Sequence, residues 1–399
     1  MMAMRNSILP WVTLVAVAAL SLGGCRKERP DERVAEGNEP QDVMEVMTAR
    51  TFRSTLHGDS CTWTLQFGSD TPERVGRMDS IRLVLPKVGE YTLRCTTYRD
   101  GQEHVATTKL LATTSPRGAF SPYISRVLEY RPAPGQFVNK APLWAAGDDA
   151  AAMARKATQR IAGREKGEHV SLGGYGGYIV FTFDHPVRNA RGIYDFKLFG
   201  NAFKGSSEPG CIRVGVDWNG NGKPENDEWY EIAGSEYYKP GCIKRYRIAY
   251  ERDTVHPFIK ASNPAIIDSA YIPWRDNQEK RGYVSRNQYH ANSYWPKWVT
   301  DEVILFEGVR VPDNFRITID KGGDARYFQE SYPFGYVDSR PNHLDPGVKI
   351  EWAVNKDGDP VELAMIDFVM VYTGVNQYCG WLGETSTEII GGMDLNTPE

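Results

Sequence analysis

The sequence predicts an all-β protein of two modules, with a single short helix. Three observations carry that reading. Short Val-, Ile- and Tyr-rich runs recur along the chain, among them Ser80–Leu85, Tyr178–Phe183 and Cys211–Val216. Turn-forming residues separate them, with 38 Gly and 24 Pro in 399 residues. Aromatic side chains are abundant, including 21 Tyr and 10 Trp, as strands and their loops favour. The chain is too long for one core of ordinary size and suits two.

The N-terminus reads as an export and anchoring signal. Arg5 precedes the apolar run Ile8–Leu22, and Leu22-Gly23-Gly24-Cys25 closes it. Such a run is shorter than the roughly 20 apolar residues of a comfortable membrane span. The ending resembles a bacterial lipobox. It implies residues 1–24 as a signal peptide and Cys25 as the lipidated first mature residue, held on the outer membrane by acyl chains alone. Arg26 stands where an aspartate would signal retention in the inner membrane. An ordinary signal peptide followed by a chance cysteine is the competing reading. Residues 25–44, acidic and polar through Glu28–Asp42, are expected to be a flexible tether.

Residues 45–114 form the first module. Cys61–Leu65, Ser80–Leu85 and Gly89–Tyr98 each alternate apolar and polar residues. Asp100-Gly101 is a hairpin turn signal, and Val105–Leu111 closes the set. A Gly-x-Tyr-x-Leu strand followed by Asp-Gly resembles the late strands of immunoglobulin-like PKD modules, which implies a spacer or a binding arm.

Residues 115–399 form the second module, entered through the Thr-, Ser-, Pro- and Gly-rich stretch Thr113–Gly135. A helix is expected over Asp148–Ile161. Asp148 or Asp149 can cap it, and Gly163 stops it. Strands dominate from Glu168 onward: Tyr178–Phe183, Asp195–Gly200, Cys211–Val216, Ile243–Tyr250, Glu302–Phe306, Phe315–Ile319, Ile350–Val354 and Ile366–Tyr372. Their spacing predicts a two-sheet sandwich or jelly roll.

Asp217 to Glu228 fits the twelve-residue calcium-loop pattern. Asp217, Asn219 and Asn221 offer side-chain oxygens, Gly222 sits where the turn needs positive φ, and Lys223 offers its carbonyl. Glu225 reaches through water, and Glu228 closes the site, with Asp227 as the alternative closure. The loop lies between strands, so calcium would brace a β-turn rather than work a sensor. A metal-free Asn-Gly turn is the competing reading. Asp338, Glu351 and Asp367 are weaker acidic candidates.

Five cysteines lie beyond Cys25. An exported compartment permits disulfides, and Cys61 with Cys95 and Cys211 with Cys242 are the economical pairs, which leaves Cys379 over. Pairing is not fixed by sequence.

Two aromatic segments, Ile272–Asn277 and Tyr289–Trp298, read as irregular loops, and Tyr378–Gly383 is a third. Trp274, Asp276, Asn277, Tyr294, Trp295, Trp298 and Trp381 are the candidate ligand contacts, because loops on a rigid sandwich commonly bind and exposed rings stack on flat ligands. Packing of the same rings onto the sandwich is the alternative. A formal charge of −4 without a basic stripe argues against nucleic acid. No nucleophile elbow, zinc-protease helix or phosphate loop appears. His290 and His343 occupy loops, and nothing in the spacing of Glu330 and Asp338 selects them as a hydrolytic pair. The chain is therefore expected to bind rather than to catalyse.

Several longer runs resemble a family of Bacteroidota cell-surface lipoproteins with an N-terminal PKD-like domain. They are Tyr123–Phe137, Val170–Tyr178, Phe199–Phe203, Ser207–Gly210, Trp229–Tyr237 and Val371–Glu388. The resemblance implies that the large module is a galactose-binding-like jelly roll. It also implies an accessory role beside a TonB-dependent outer-membrane transporter, with capture of a small nutrient such as a corrinoid or a glycan. The chain departs from the family pattern at Cys211 and Cys242, where other members carry other residues. A bridge there would pin the strands flanking the calcium loop. The rival readings are a calcium-dependent carbohydrate-binding adhesive module, a glycan-active hydrolase and a purely structural subunit.

Overall fold

The computed structural model describes residues 32–34, 42–55, 58, 60–252, 258–323 and 325–397. The apolar N-terminal run and Cys25 lie outside the described residues. Among these, no helix is long and apolar enough to cross a membrane. The protein is all-β, with one α-helix, Ala150–Ile161, among the described residues.

The first module packs a five-stranded sheet against a three-stranded one. The larger sheet runs, in spatial order, Asp42–Glu45, Gln102–Thr113, Gly89–Arg99, Ser60–Phe67 and Glu73–Gly76. Its first pair is parallel and the rest antiparallel. Alternation works as expected: Tyr91, Leu93 and Cys95 point inward onto Trp63, Phe52 and Leu83. Asp100 and Gly101 have φ of 52° and 75°, the two-residue turn that suits the right-handed twist of a hairpin. One correction concerns the tether. Glu32–Val34 pairs in parallel with Arg50–Arg53, and Asp42–Glu45 pairs with Gln102–Thr113, so parts of residues 25–44 are strand. Their acidic composition masks the Val and Met residues that pair.

The second module holds an antiparallel six-stranded sheet in the order Ala353–Val354, Trp229–Ile232, Gly210–Gly215, Phe368–Thr373, Tyr178–Thr182 and Arg126–Arg131. A four-stranded antiparallel sheet runs Arg281–Asn287, Ile266–Asp276, Ile243–Glu251 and Val303–Arg310. A separate hairpin joins Phe315–Ile319 to Ala325–Gln329. The helix begins at Asp149, whose Oδ1 accepts the N–H of Ala152 at 2.7 Å. It buries Met153, Ala154, Ala157 and Ile161 in the main core. Two local expectations are corrected. Ile350–Trp352 is a 3₁₀ turn rather than strand, with strand only at Ala353–Val354. Ile272–Asn277 is not an irregular loop, since Ile266–Asp276 is a strand. Pro273 hid it, because proline usually excludes a central strand. Here pairing with the Ile243–Glu251 strand begins only at Trp274, opposite Tyr250.

The modules meet through ion pairs. Glu362 of the sandwich contacts Arg74 at 2.9 Å and Arg77 at 3.3 Å, both from the first module. Arg82 reaches Asp367 at 3.2 Å and lies 4.0 Å from Asp217.

The five described cysteines are unbonded in this structure. Cys61 and Cys95 are close, with sulfurs 3.2 Å apart. The register sets them diagonally: Cys61 faces Thr97, and Cys95 faces Trp63. Cys211 and Cys242 share one apolar cluster without a bond, Cys211 within the Gly210–Gly215 strand and Cys242 at a turn. Cys379 is buried, and burial pushes its thiol up to about 11.

Candidate functional site

A cleft of about 270 Å³ opens where the four-stranded sheet, the Phe315–Gln329 hairpin and the C-terminal segment converge. Its lining is built from distant stretches of chain. Tyr250 and Trp274 stand opposite each other on neighbouring strands. Tyr283 and Val284 come from the next strand, and Phe315 from the hairpin. Asn376, Gln377, Tyr378, Glu384 and Thr385 come from the C-terminal segment.

Tyr175 forms part of the lining and is 1% exposed. The glycines around it are required by space. A Cβ on Gly176, whose φ is 83°, would lie 2.4 Å from Cβ of Phe306. One on Gly173 would lie 2.0 Å from the Ala133 carbonyl. Tyr175 packs edge-on against Tyr246 with ring centroids 4.8 Å apart. Its own carbonyl accepts the Tyr250 hydroxyl at 3.1 Å.

Two of these lining residues carry a buried polar atom with no hydrogen-bond partner among the described residues. Glu384 is 8% exposed; its Oε1 accepts the N–H of Gln136 at 2.7 Å, and nothing meets Oε2. Tyr175 Oη is likewise buried and unmet. Buried polar groups are nearly always satisfied, so each such atom needs an explanation. Burial pushes the Glu384 carboxyl up to about 8. The phenol of Tyr175 is raised by the same cause.

The rest of the lining is held rigidly. Gln377 Nε2 donates to Asn314 Oδ1 at 2.7 Å and to Thr385 Oγ1 at 2.9 Å. Asn376 Nδ2 donates to the Tyr246 hydroxyl, which donates in turn to Asp276 Oδ2 at 2.7 Å. Asp313, at the cleft, is hydrogen-bonded by Arg310.

Of the seven expected ligand contacts, only Trp274 lines the cleft. Asp276 and Asn277 lie outside the cleft lining and bond to the hairpin and the neighbouring strand. Asp276 Oδ1 accepts the N–H groups of Gln278 and Lys280, closing the hairpin. Asn277 binds the Arg245 carbonyl and the Arg247 N–H. Tyr294 and Trp295 are core residues, 0% and 4% exposed. Trp298 is half-buried, stacked on Tyr130 at 5.7 Å. Trp381 is exposed and meets Tyr289 edge-on at 6.1 Å, outside the cleft. The cleft residues that sequence reasoning missed left a signal: Tyr175 and Asn376–Thr385 fall inside the quoted runs Val170–Tyr178 and Val371–Glu388.

The Asp217–Glu228 loop joins the strands Gly210–Gly215 and Trp229–Ile232. Asp217 accepts the N–H groups of Asn221 and Gly222 at 3.0 and 2.9 Å, and Gly222 has φ of 71°. Asn219 and Asn221 oxygens accept N–H groups of Asn221 and Lys223, while their amides donate to Glu225. Glu228 is 2% exposed and accepts from Trp218 and Glu225. Burial, then the neighbouring Asp217, raises the Glu228 carboxyl. The turn is rich in oxygen, and its carboxylate and amide oxygens accept from N–H groups of the turn itself.

A second acidic group lies deeper. Glu208, Asp338 and Glu388 bring carboxylate oxygens within 4.8 Å of one another. Backbone N–H groups of Asn201, Ala202 and Glu388 satisfy Asp338. Glu330 does not join it, being paired with Arg316 at 2.7 Å. Glu351 accepts the Gly192 N–H.

No protein-family profile and no curated protein matches this chain. Among solved structures, a protein described as SusE-like matches at 10% sequence identity with a TM-score of 0.19, over 85% of this chain and 97% of that one. A likeness at that TM-score carries no argument about this fold or its ligand.

Proposed function

We propose that this protein is a lipid-anchored outer-membrane binding protein that captures a small nutrient in the Trp274–Tyr378 cleft for a TonB-dependent transporter. The observation that carries the reading is the aromatic cleft lined by Glu384 and Tyr175, whose Oε2 and Oη are buried and unmatched among the described residues. A ligand that meets them would remove the cost of leaving two polar groups unmet, about 1–3 kcal/mol each. The anchor rests on the Leu22–Cys25 sequence, and the transporter on the family resemblance.

The size of the cleft narrows the ligand. A cavity of about 270 Å³ suits one small ring and is too small to enclose a corrinoid. A glycan unit fits better. Capture rather than hydrolysis is favoured because Asp313 is engaged by Arg310, which leaves Glu384 without a second free carboxyl in the lining. Calcium in the Asp217–Glu228 turn would brace the sandwich away from the cleft.

Titration calorimetry of the mature protein against a panel of monosaccharides and oligosaccharides tests this reading. Binding that disappears in Tyr378→Ala supports it. Heat from the panel that survives both Tyr378→Ala and Trp274→Ala would move capture elsewhere.

One observation favours a second reading. The exposed Tyr289–Trp381 pair offers a surface platform, as a calcium-dependent carbohydrate-binding adhesive module would use. Glycan-array binding lost in Trp381→Ala and in chelator, but kept in Tyr378→Ala, would select it.

A further inference from the structure

The composition of the cleft constrains the charge of what it holds. Six rings line it: those of Tyr175, Tyr250, Trp274, Tyr283, Phe315 and Tyr378. Among the described residues its only carboxyls are Asp313 and Glu384, and none of the lining residues is Lys, Arg or His. Arg310 already answers Asp313. Among the described residues Glu384 has no ion-pair partner, and its Oε2 meets no hydrogen-bond donor. Aromatic faces attract cations through the ring quadrupole, more strongly when water is excluded. A buried acid with a free oxygen adds a point of attachment that an ammonium N–H satisfies and a hydrocarbon does not.

We propose that the cleft recognises an organic ammonium group, seated against Glu384 Oε2 and the neighbouring rings. The proposal rests on the reading of this cleft as the capture site and names the class of ligand it selects. Two sources share this chemistry: amino sugars, whose primary ammonium donates N–H bonds, and quaternary amines, which offer only charge and methyl groups. A carboxyl beside the rings, able to accept an ammonium N–H, favours the first.

Binding would also move a proton. Burial raises the Glu384 carboxyl, so the empty cleft holds it protonated near neutral pH. A bound cation converts it to carboxylate, and the proton leaves for solvent. The other titratable groups facing the cleft keep their state. The phenols of Tyr175, Tyr250 and Tyr378 are raised by burial, and Asp313 stays paired with Arg310. Glu388, behind Glu384, is itself raised by burial.

The test titrates the full mature chain at pH 7 with glucosamine, choline, glucose and 3,3-dimethylbutan-1-ol, the last two being neutral counterparts. Titration in weakly buffered potassium chloride, with the proton released read by pH-stat, separates proton release from binding heat. The expected result is tighter binding of a cationic probe than of its neutral counterpart by about tenfold or more, with net proton release. Glu384→Gln, which keeps shape and loses charge, should abolish both the preference and the proton release while still binding glucose as the unsubstituted protein does. Glucosamine ahead of choline assigns an amino sugar, and the reverse order a quaternary amine; either supports the proposal. Glucose binding as tightly as glucosamine, both lost in Tyr378→Ala, would overturn the charge assignment and leave the capture site standing. A preference that persists in Glu384→Gln, or no binding by any of the four probes, also overturns it.

Discussion

Arg82 of the first module donates through Nε to Asp367 Oδ2 of the sandwich at 3.2 Å, and the same carboxylate oxygen accepts the Asp217 N–H at 2.8 Å. One half-buried carboxylate thus links the two modules to the first residue of the acidic turn. Burial raises the Asp367 carboxyl, and Arg82 pulls it back down.

Removal of Arg82 should therefore be costly. Arg82→Met leaves Asp367 half-buried and uncompensated, at about 3–5 kcal/mol. Arg82→Met with Asp367→Leu should recover much of that loss, because no lone charge remains. Chemical denaturation of the two variants checks this, and equal destabilisation would contradict it.

The acidic turn should respond to metal. Calcium that binds the native turn stabilises it by mass action. EDTA should lower the melting temperature, and Asp217→Ala should do the same and remove any further effect of EDTA. Differential scanning calorimetry with added calcium makes the comparison. An unchanged melt in both tests would remove calcium from the account.

Stability should fall as pH rises. Glu208 and Glu384 are each raised from 4.5 to about 8, chiefly by burial. Asp338 and Glu388 are raised by burial as well. Between about pH 4.5 and 8 the folded protein keeps protons that the unfolded chain has lost, so its stability decreases with pH. The melting temperature should be higher at pH 5 than at pH 8. Glu388→Gln should flatten that dependence.

The anchor is tested in cells. Cys25→Ala should move the protein from the outer-membrane fraction to the soluble fraction. A variant that still sediments with outer membrane would require another means of attachment.

The strands of this chain were legible where local pattern decides them. Gly89–Arg99 alternates inward Tyr91, Leu93 and Cys95 with outward Glu90 and Arg94, and the pattern alone places it. The helix announced itself through Asp149 and Gly163. Sites assembled over long separations were not legible. Tyr175, Tyr250, Trp274 and Glu384 meet only because two sheets and the C-terminal segment converge, which no local period records. Tyr294 and Trp295 illustrate the converse error. The irregular aromatic segment Tyr289–Trp298 reads as a binding loop, whereas both rings face the core. Composition identifies an aromatic loop but not the direction in which its rings point.

The central claim is that the cleft beside Glu384 is a binding site rather than a packing defect. A crystal structure of the protein soaked with glucosamine tests it most directly. The account predicts a sugar ring against Trp274 and Tyr378, with its ammonium at hydrogen-bond distance from Glu384 Oε2. A cleft closed by its own side chains, with Glu384 Oε2 bonded within the protein, would contradict it.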